Sequence, residues 1–369
     1  MNEKQIAIYS ELDKFLSLDD YPKNAKIFIY SDNIFGRHLK LLLEIERPDV
    51  CVLGFVNSFA EGTVASVPRV LPDALKTQTY DFVVITLINY IDDIVERIGF
   101  VEQSKLRINL VGNLSYYGHY ERNPTLDKDE KIRAVETALK DPKDRQLWTI
   151  LINALRNRSM QNLVDWFIEY NNVDFHYLEY CNLRAGDTVL EGGVFDGNTS
   201  CRFAEIVGDA GHVYSFDPLG DEYATEALQK NAAIVHRINI FPYAISNTEG
   251  EVCFDIDGPG SCVADDGGMR VRSIALDDFV AEKNLQRVDF IKMDIEGAEP
   301  EALEGVWKSV EKFRPALAIS IYHRCNQFID IPFFLVDKLK NYTFNLSCYS
   351  YEGLETVFYC TPDERATHH

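Results

Sequence analysis

Three carboxylates fall within six residues at the end of VDFIKMDIEGAE (288–299): Asp294, Glu296 and Glu299, with Gly297 between them. The approach, VDFIKM, is apolar enough to be a buried strand, so the segment reads as a strand delivering carboxylates to the rim of a sheet. Carboxylates in such a place can take a proton from a hydroxyl or hold a cation. Asp294 is expected to act in catalysis, and Glu296 is open to that role or to a structural one. Glu299 precedes Pro300 at a helix start, where an acid favours the positive end of the helix dipole. His323 ends another apolar run, ALAISIYH (316–323), and is open to use as a base, a substrate ligand or a structural residue. Asp294, Glu296 and His323 could instead hold Mg²⁺ or Mn²⁺, since carboxylate and imidazole suit such ions. No spacing here requires a metal.

A second stretch with chemical content is TVLEGGVFDGNTSCRFAEIVG (188–208), a strand, a glycine-punctuated turn and a helix. Gly193 and Gly197 carry no side chain to obstruct a ligand that approaches the backbone. The order is not that of a dinucleotide loop, because Glu191 stands where such a loop has its first glycine. A carboxylate there repels a pyrophosphate and suits an ammonium group. Downstream, GHVYSFDP ends at Asp217, 24 residues after Gly193. An acid at that distance is placed to accept both hydroxyls of a ribose. An acidic turn with a ribose-reading acid suits S-adenosylmethionine, which has adenosine and an ammonium but no phosphate. The competing readings are a structural glycine turn with Asp217 as a helix cap, and, less favoured, an NAD(H) site.

These residues need elements to position them. In residues 25–110, AKIFIY, VCVLGFVNS and TYDFVVITL read as strands, and FGRHLKLLLEI as a helix with apolar spacing at Leu39, Leu42, Leu43 and Ile45. Strand, helix and strand at this pitch predict a parallel sheet with crossover helices. Residues 116–180 are polar and periodic, with Pro142 as a helix start, and predict a helical connector. From residue 187 the strand–helix rhythm returns. The expected organisation is α/β: a smaller Rossmann-like domain over 1–115, the connector, and a second domain over 181–369.

With 37 basic and 58 acidic residues the chain carries a net charge of −21. Such a surface repels phosphate backbones and anionic lipid, so neither nucleic acid nor a membrane surface is an expected partner. The eight cysteines are scattered with no C-x-x-C, which predicts reduced thiols and a cytoplasmic location. No signal peptide is read at the N-terminus, and no run approaches the length of a membrane span.

LEGGVFDGNTS (190–200), VYSFDP (213–218), PYAISNTEGEV (242–252), SIALDDF (273–279), VDFIKMDIEGAEPEALEG (288–305) and AISIYHRCNQFIDIP (318–332) occur in this order. Together they resemble the FkbM-type S-adenosylmethionine-dependent methyltransferases over residues 181–369. The resemblance implies a class I methyltransferase fold and O-methylation of a sugar, glycan-precursor or natural-product hydroxyl. It places the cofactor on Glu191, Gly193, Gly197 and Asp217, with the intervening and following turn residues Phe195, Asp196, Asn198 and Thr199. Ala244 and Ser246 are implied near the adenine, and Asp294 beside the methyl group. Members of the family often have an Arg-His pair near the C-terminal strand, where this chain has Ser347-Cys348; any role of that histidine is then absent here or moved to His323.

Residues 25–110 resemble the small domain that precedes sugar-modifying enzymes. Ser31 and Asn33 replace two of its glycines and only Gly36 remains, so NAD binding is not expected there. A scaffold for homo-oligomer assembly or acceptor recognition is. The expected function is O-methyl transfer to a small-molecule or glycan hydroxyl, with a non-catalytic cofactor- or sugar-binding module as the alternative. The loops at 255–270 and 322–332 are expected to shape the acceptor pocket.

Overall fold

The computed structural model describes residues 1–112, 125–170, 176–220, 225–231, 233–255, 262–264, 269–351 and 353–365. These form two compact units, one of residues 1–126, 149–171 and 351–353, the other of 127–148, 172–350 and 354–369. The segment expected as a separate connector is therefore divided between the two.

The first unit is built on strands β1 (Lys14–Phe15), β2 (Lys26–Tyr30), β3 (Cys51–Val56), β4 (Gly62–Val64), β5 (Val67–Val70), β6 (Phe82–Ile85) and β7 (Leu106–Asn109). They pair in the order β1-β7-β6-β2-β3-β5-β4, parallel except for the β4–β5 hairpin. Ile27, Phe28, Ile29 and Tyr30 of β2 are all buried, as a parallel sheet covered on both faces demands. Helix α1 (Glu3–Glu11) precedes the sheet, and α2 (Ile34–Glu46) and α3 (Ile91–Arg97) follow β2 and β6. The buried apolar stripe of α2 is Leu39, Leu42 and Leu43 as the sequence predicts, whereas Ile45, expected on the same face, is exposed near the helix end.

At the end of β2 the chain compensates for its missing glycines. Ser31 adopts a left-handed φ of 87°, and the Asn33 side chain accepts the Gly36 N–H at 3.1 Å to cap α2. Asp32, buried between them, accepts from Asn57 Nδ2 at 2.6 Å and Arg69 Nη1 at 3.1 Å. An anionic ligand at this helix end would meet that carboxylate.

Helices α4 (Asp129–Ala138), α5 (Pro142–Asn157) and α6 (Gln161–Tyr170) follow. The main sheet of the second unit contains β8 (Thr188–Gly192), β9 (His212–Phe216), β10 (Ile238–Phe241), β15 (Phe290–Met293), β16 (Ala316–Ser320), β17 (Tyr342–Cys348) and β18 (Thr356–Pro362). Its order is β10-β9-β8-β15-β16-β18-β17, with β18 antiparallel to both neighbours. This is the mostly parallel, helix-flanked sheet of the expected class I fold. The chain runs outward from β8 to β10 on one side and from β15 on the other, so the switch point lies between β8 and β15. Ligands of open α/β sheets bind outside the carboxyl ends of strands at such a point. The flanking helices are α7 (Asn198–Val207), α8 (Thr225–Lys230), α9 (Leu276–Glu282), α10 (Glu299–Phe313) and α11 (Gln327–Lys338). Asp330 of α11 pairs with Lys128 and Lys131 at 2.9 and 2.8 Å, which fixes α4 in this unit.

Between β10 and α9 stands a small sheet absent from the sequence reading. It contains β11 (Ala244–Ser246), β12 (Gly250–Asp255), β13 (Cys262–Ala264) and β14 (Met269–Ala275), in the order β11-β14-β12-β13. The loop expected over 255–270 is thus partly strand, and its residues 256–261 and 265–268 lie outside the described residues, as do His368 and His369.

Helix α10 lies against β11 through Gly305. A Cβ built there would stand 2.1 Å from the Ser246 carbonyl oxygen. Helix propensity alone makes alanine better than glycine by about 1 kcal/mol. The close approach reverses the sign, and Gly305→Ala should destabilise the protein by about 1–3 kcal/mol, read as a lower urea midpoint at unchanged slope.

Candidate active site

The glycine turn leaves β8 at the switch point. Gly193 has a φ of 80°, and a Cβ on it would lie 1.9 Å from the Asp294 carbonyl oxygen, so only glycine allows this approach to the neighbouring chain. Asp294 N–H donates to the Gly192 carbonyl at 3.1 Å. Lys292 Nζ donates to the carbonyls of Gly192 and Gly193 at 3.0 and 2.7 Å. The turn after β8 and the carboxylates after β15 therefore share one wall.

The two acids expected at the cofactor are already engaged. Glu191 is fully buried beneath the turn rather than open at it, and its Oε2 accepts from Ser200 of α7 at 2.5 Å and Ser215 of β9 at 2.7 Å. Burial raises its pKa. Its Oε1 is buried with no hydrogen-bond partner. Asp217 Oδ2 accepts the Val194 and Phe195 N–H groups at 3.0 and 3.3 Å, and Oδ1 accepts that of Leu219 at 3.0 Å. Three of roughly four acceptor sites of this carboxylate hold backbone, so it shapes the turn. Asp196 caps the start of α7 by accepting the Asn198 N–H at 3.0 Å, and Phe195, Asp196 and Asn198 are exposed while Thr199 is half-buried. Gly197 is the left-handed residue that begins α7. Ala244 is buried and Ser246 half-buried, both in β11. An adenosine-bearing ligand with an ammonium group is compatible with this turn: its glycine backbone is unobstructed by side chains at Gly193, a buried carboxylate with an unmatched oxygen lies beneath it, and the Lys292 ammonium is engaged by the carbonyls of Gly192 and Gly193.

The structure brings all three opening carboxylates to His323. Its Nε2 lies 3.3 Å from Asp294 Oδ1 and 3.3 Å from Glu296 Oε2, and its Nδ1 lies 2.9 Å from Glu299 Oε1. His323 and Glu299 are completely buried. Burial opposes charge on the imidazole, but Glu299 and Asp294 outweigh it and hold the pKa well above 6.5. Burial likewise opposes ionisation of Asp294, yet His323 and Lys292 hold its pKa below the usual range. An imidazolium in ion pairs with carboxylates on both ring nitrogens accounts for these contacts. Asp294, Glu299 and His323 have atoms close enough to ligate an ion, but here they compensate one another's charge. Glu299 also accepts the Ile295 N–H at 2.9 Å, so it closes the turn before α10 and orients His323 together. Glu296 stands at a left-handed φ of 59°, which aims its side chain back at the imidazole.

Sequence reasoning missed four residues that complete this cluster. Tyr177 donates to Asp294 Oδ2 at 2.7 Å and Tyr322 to Oδ1 at 3.0 Å. Tyr322 also donates to Glu355 Oε1 at 3.4 Å, and His176 Nε2 lies 3.2 Å from Glu355 Oε2. His176 stacks on Tyr177, and burial lowers its pKa to about 4. Only Tyr322, adjacent to His323 at a strand end, had a positional signal. Ser347 and Cys348 are buried in β17, and Ser347 donates to Glu179 at 2.5 Å.

Because its folded pKa is raised, His323 contributes stability that is complete below about 6.5 and is lost as pH rises through the folded value. Glu299→Ala removes one partner of a fully buried pair and should cost about 3–5 kcal/mol. The alkaline decline in Tm should also begin at lower pH than in the wild type, measured by thermal melts between pH 6 and 10.

Comparison with known proteins agrees with this geometry. Residues 191–346 match the family model described as the Methyltransferase FkbM domain. A 2-O-methyltransferase, NoeI of Sinorhizobium fredii (strain NBRC 101917 / NGR234), is 27% identical over 148 residues, covering 34% of this chain and 60% of the relative's length. A solved structure, methyltransferase FkbM from Methylobacillus flagellatus KT, covers 98% of this chain and 94% of its own with a TM-score of 0.63 at 16% identity. That likeness establishes the fold. Residues 191–346, which hold the turn after β8, the three carboxylates and His323, are an FkbM methyltransferase domain.

Proposed function

We propose that this protein is an S-adenosylmethionine-dependent O-methyltransferase that acts in the cytoplasm on a hydroxyl of a sugar or glycan precursor. The observation that carries the reading is the close approach of Gly193 to Asp294, which puts the glycine turn after β8 directly beside a cluster of carboxylates at the switch point of the sheet. S-adenosylmethionine supplies an electrophilic methyl on a positively charged sulfur, and its loss of charge on transfer needs no metal. The 2-O-methyltransferase relative supports oxygen as the acceptor atom. Among the described residues no helix is long and apolar enough to cross a membrane. The first unit, with Asp32 set against an anion at α2, serves acceptor recognition or self-assembly in this reading.

The chain's contribution is mainly positional. Holding reactants at attack distance and angle is worth about 7–11 kcal/mol when the alignment is good. Tyr177 and Tyr322 fix both oxygens of Asp294, and His323 keeps it ionised, so a permanent negative charge stands at the carboxyl end of β15. Such a preorganised charge costs no reorganisation when the reaction occurs. His323, held protonated, orients carboxylates and does not accept a proton at neutral pH.

Isothermal titration with S-adenosylmethionine and S-adenosylhomocysteine tests the cofactor directly. Asp217→Ala should weaken both by about 2–4 kcal/mol, because it removes charged hydrogen bonds to the ligand and loosens the turn. Binding of NADH in place of either compound would defeat the proposal. Asp294→Asn should lower turnover by about 10²–10³-fold, the loss typical of a preorganised electrostatic group, with a smaller effect on S-adenosylhomocysteine affinity. Labelled-methyl transfer to a panel of glycosides reads that split.

A further inference from the structure

With Asp294 and His323 locked in an ion pair, the cluster needs another group to take the acceptor's proton. We propose that Glu355, immediately before β18, is that general base. The inference rests on the methyltransferase reading above.

The topology puts Glu355 in place. Because β18 runs antiparallel to β16, its first residues lie at the carboxyl edge of the sheet, and Ile321 N–H donates to Thr356 O at 3.0 Å. Glu355 stands just outside this pair with a left-handed φ of 57°. Its carboxylate lies beside Tyr322, which is hydrogen-bonded to Asp294, and beside His176. The Glu355 side chain is 39% exposed, against 20% for Asp294 and none for His323. Among these groups it is the carboxylate most open to an incoming hydroxyl and to solvent, where the proton must finally go.

The groups around it suit the task. Although the side chain is 39% exposed, partial desolvation by the crevice walls together with the charge of Asp294 raises its pKa to about 7, while His323, Lys292 and the Tyr322 hydroxyl oppose that rise. Tyr322 has its own pKa pushed well above 10, so it stays a hydrogen-bond donor. His176, lowered to about 4, stays neutral and adds no charge. A base with a pKa near the working pH combines a useful deprotonated fraction with the strongest driving force for proton uptake. Two carboxylates in one cluster thus have pKa values driven apart, Asp294 down and Glu355 up.

The step balances as a displacement. The acceptor O–H bond breaks with its electron pair left on oxygen and its proton passing to a Glu355 oxygen. The acceptor oxygen forms the new O–CH₃ bond. The S–CH₃ bond breaks with its pair kept by sulfur, turning the sulfonium of S-adenosylmethionine into the thioether of S-adenosylhomocysteine. Glu355 then releases the proton to solvent.

The test combines a titration with kinetics. ¹³C-carboxyl glutamate labelling of the full chain, with Glu355→Gln to assign the signal, reads the ionisation without any ligand. A midpoint near 7 is expected; one near the ordinary 4.3 would overturn the assignment. The midpoint should fall in Asp294→Asn, which removes the charge that raises it, and rise in Tyr322→Phe, which removes the hydrogen bond that lowers it. Midpoints that stay put would mean the cluster is not coupled as described. With labelled S-adenosylmethionine and a panel of methyl glycosides, Glu355→Gln should lower kcat by about 10²–10⁴-fold and abolish the acid limb of the rate profile. It should leave S-adenosylhomocysteine affinity within about threefold. Full turnover in Glu355→Gln sinks the base. Failure of the wild type to bind S-adenosylhomocysteine sinks the methyltransferase reading itself, and the titration stays decisive where no glycoside is turned over.

Discussion

An imidazolium with no access to water constrains the carboxyl edge of the second sheet. An isolated buried charge costs several kcal/mol, so His323 must be met by anions from whatever elements reach it. The chain answers with Asp294, Glu296 and Glu299 from one turn. Reaching both ring nitrogens from a single turn requires a sharp reversal, which Glu296 and Gly297 make with successive left-handed residues at φ 59° and 97°. Gln327 then holds the Gly297 carbonyl at 2.8 Å, tying that turn to the start of α11. The local backbone follows from the charge it must neutralise.

The same wall is ordered by charges of alternating sign. Glu191 lies beneath the glycine turn, Lys292 binds the carbonyls of that turn, Asp294 follows on the next strand end, and His323 stands beyond it. Each ion is compensated by its neighbours, and the low local dielectric strengthens every link. A change at one end of this row is felt as a change of pKa at the other. Glu355 responds to Asp294, His323 and Lys292 together in this way.

The legible part of this architecture was local. The β8–turn–α7 segment, the strand delivering Asp294 and the three main strands of the first unit follow from apolar runs and glycine placement in contiguous stretches. The convergence of Asp294, Glu296 and His323 was legible as well, because strand ends of a parallel sheet face one way. Tyr177, His176 and Glu355 were not, since they come from segments before β8 and after β17, with no spacing relation to residue 294. The small sheet was hidden for another reason: β11 and β13 are three residues each and gain their stability from pairing with longer strands. The ionisation states of His323 and Glu191 depend on complete burial, which no residue pattern declares.

Tyr177, Phe195, Glu296 and Glu355 all hold φ between 49° and 62°. For bulky L-residues that conformation costs of order 1 kcal/mol each, and glycine or asparagine would relieve it. The crevice is therefore one place where folding preference and side-chain placement disagree. Selection for thermal tolerance alone favours replacement at these four positions, trading aimed functional groups for a relaxed backbone. Variants recovered from such a selection would remain folded while losing the geometry that makes the crevice reactive.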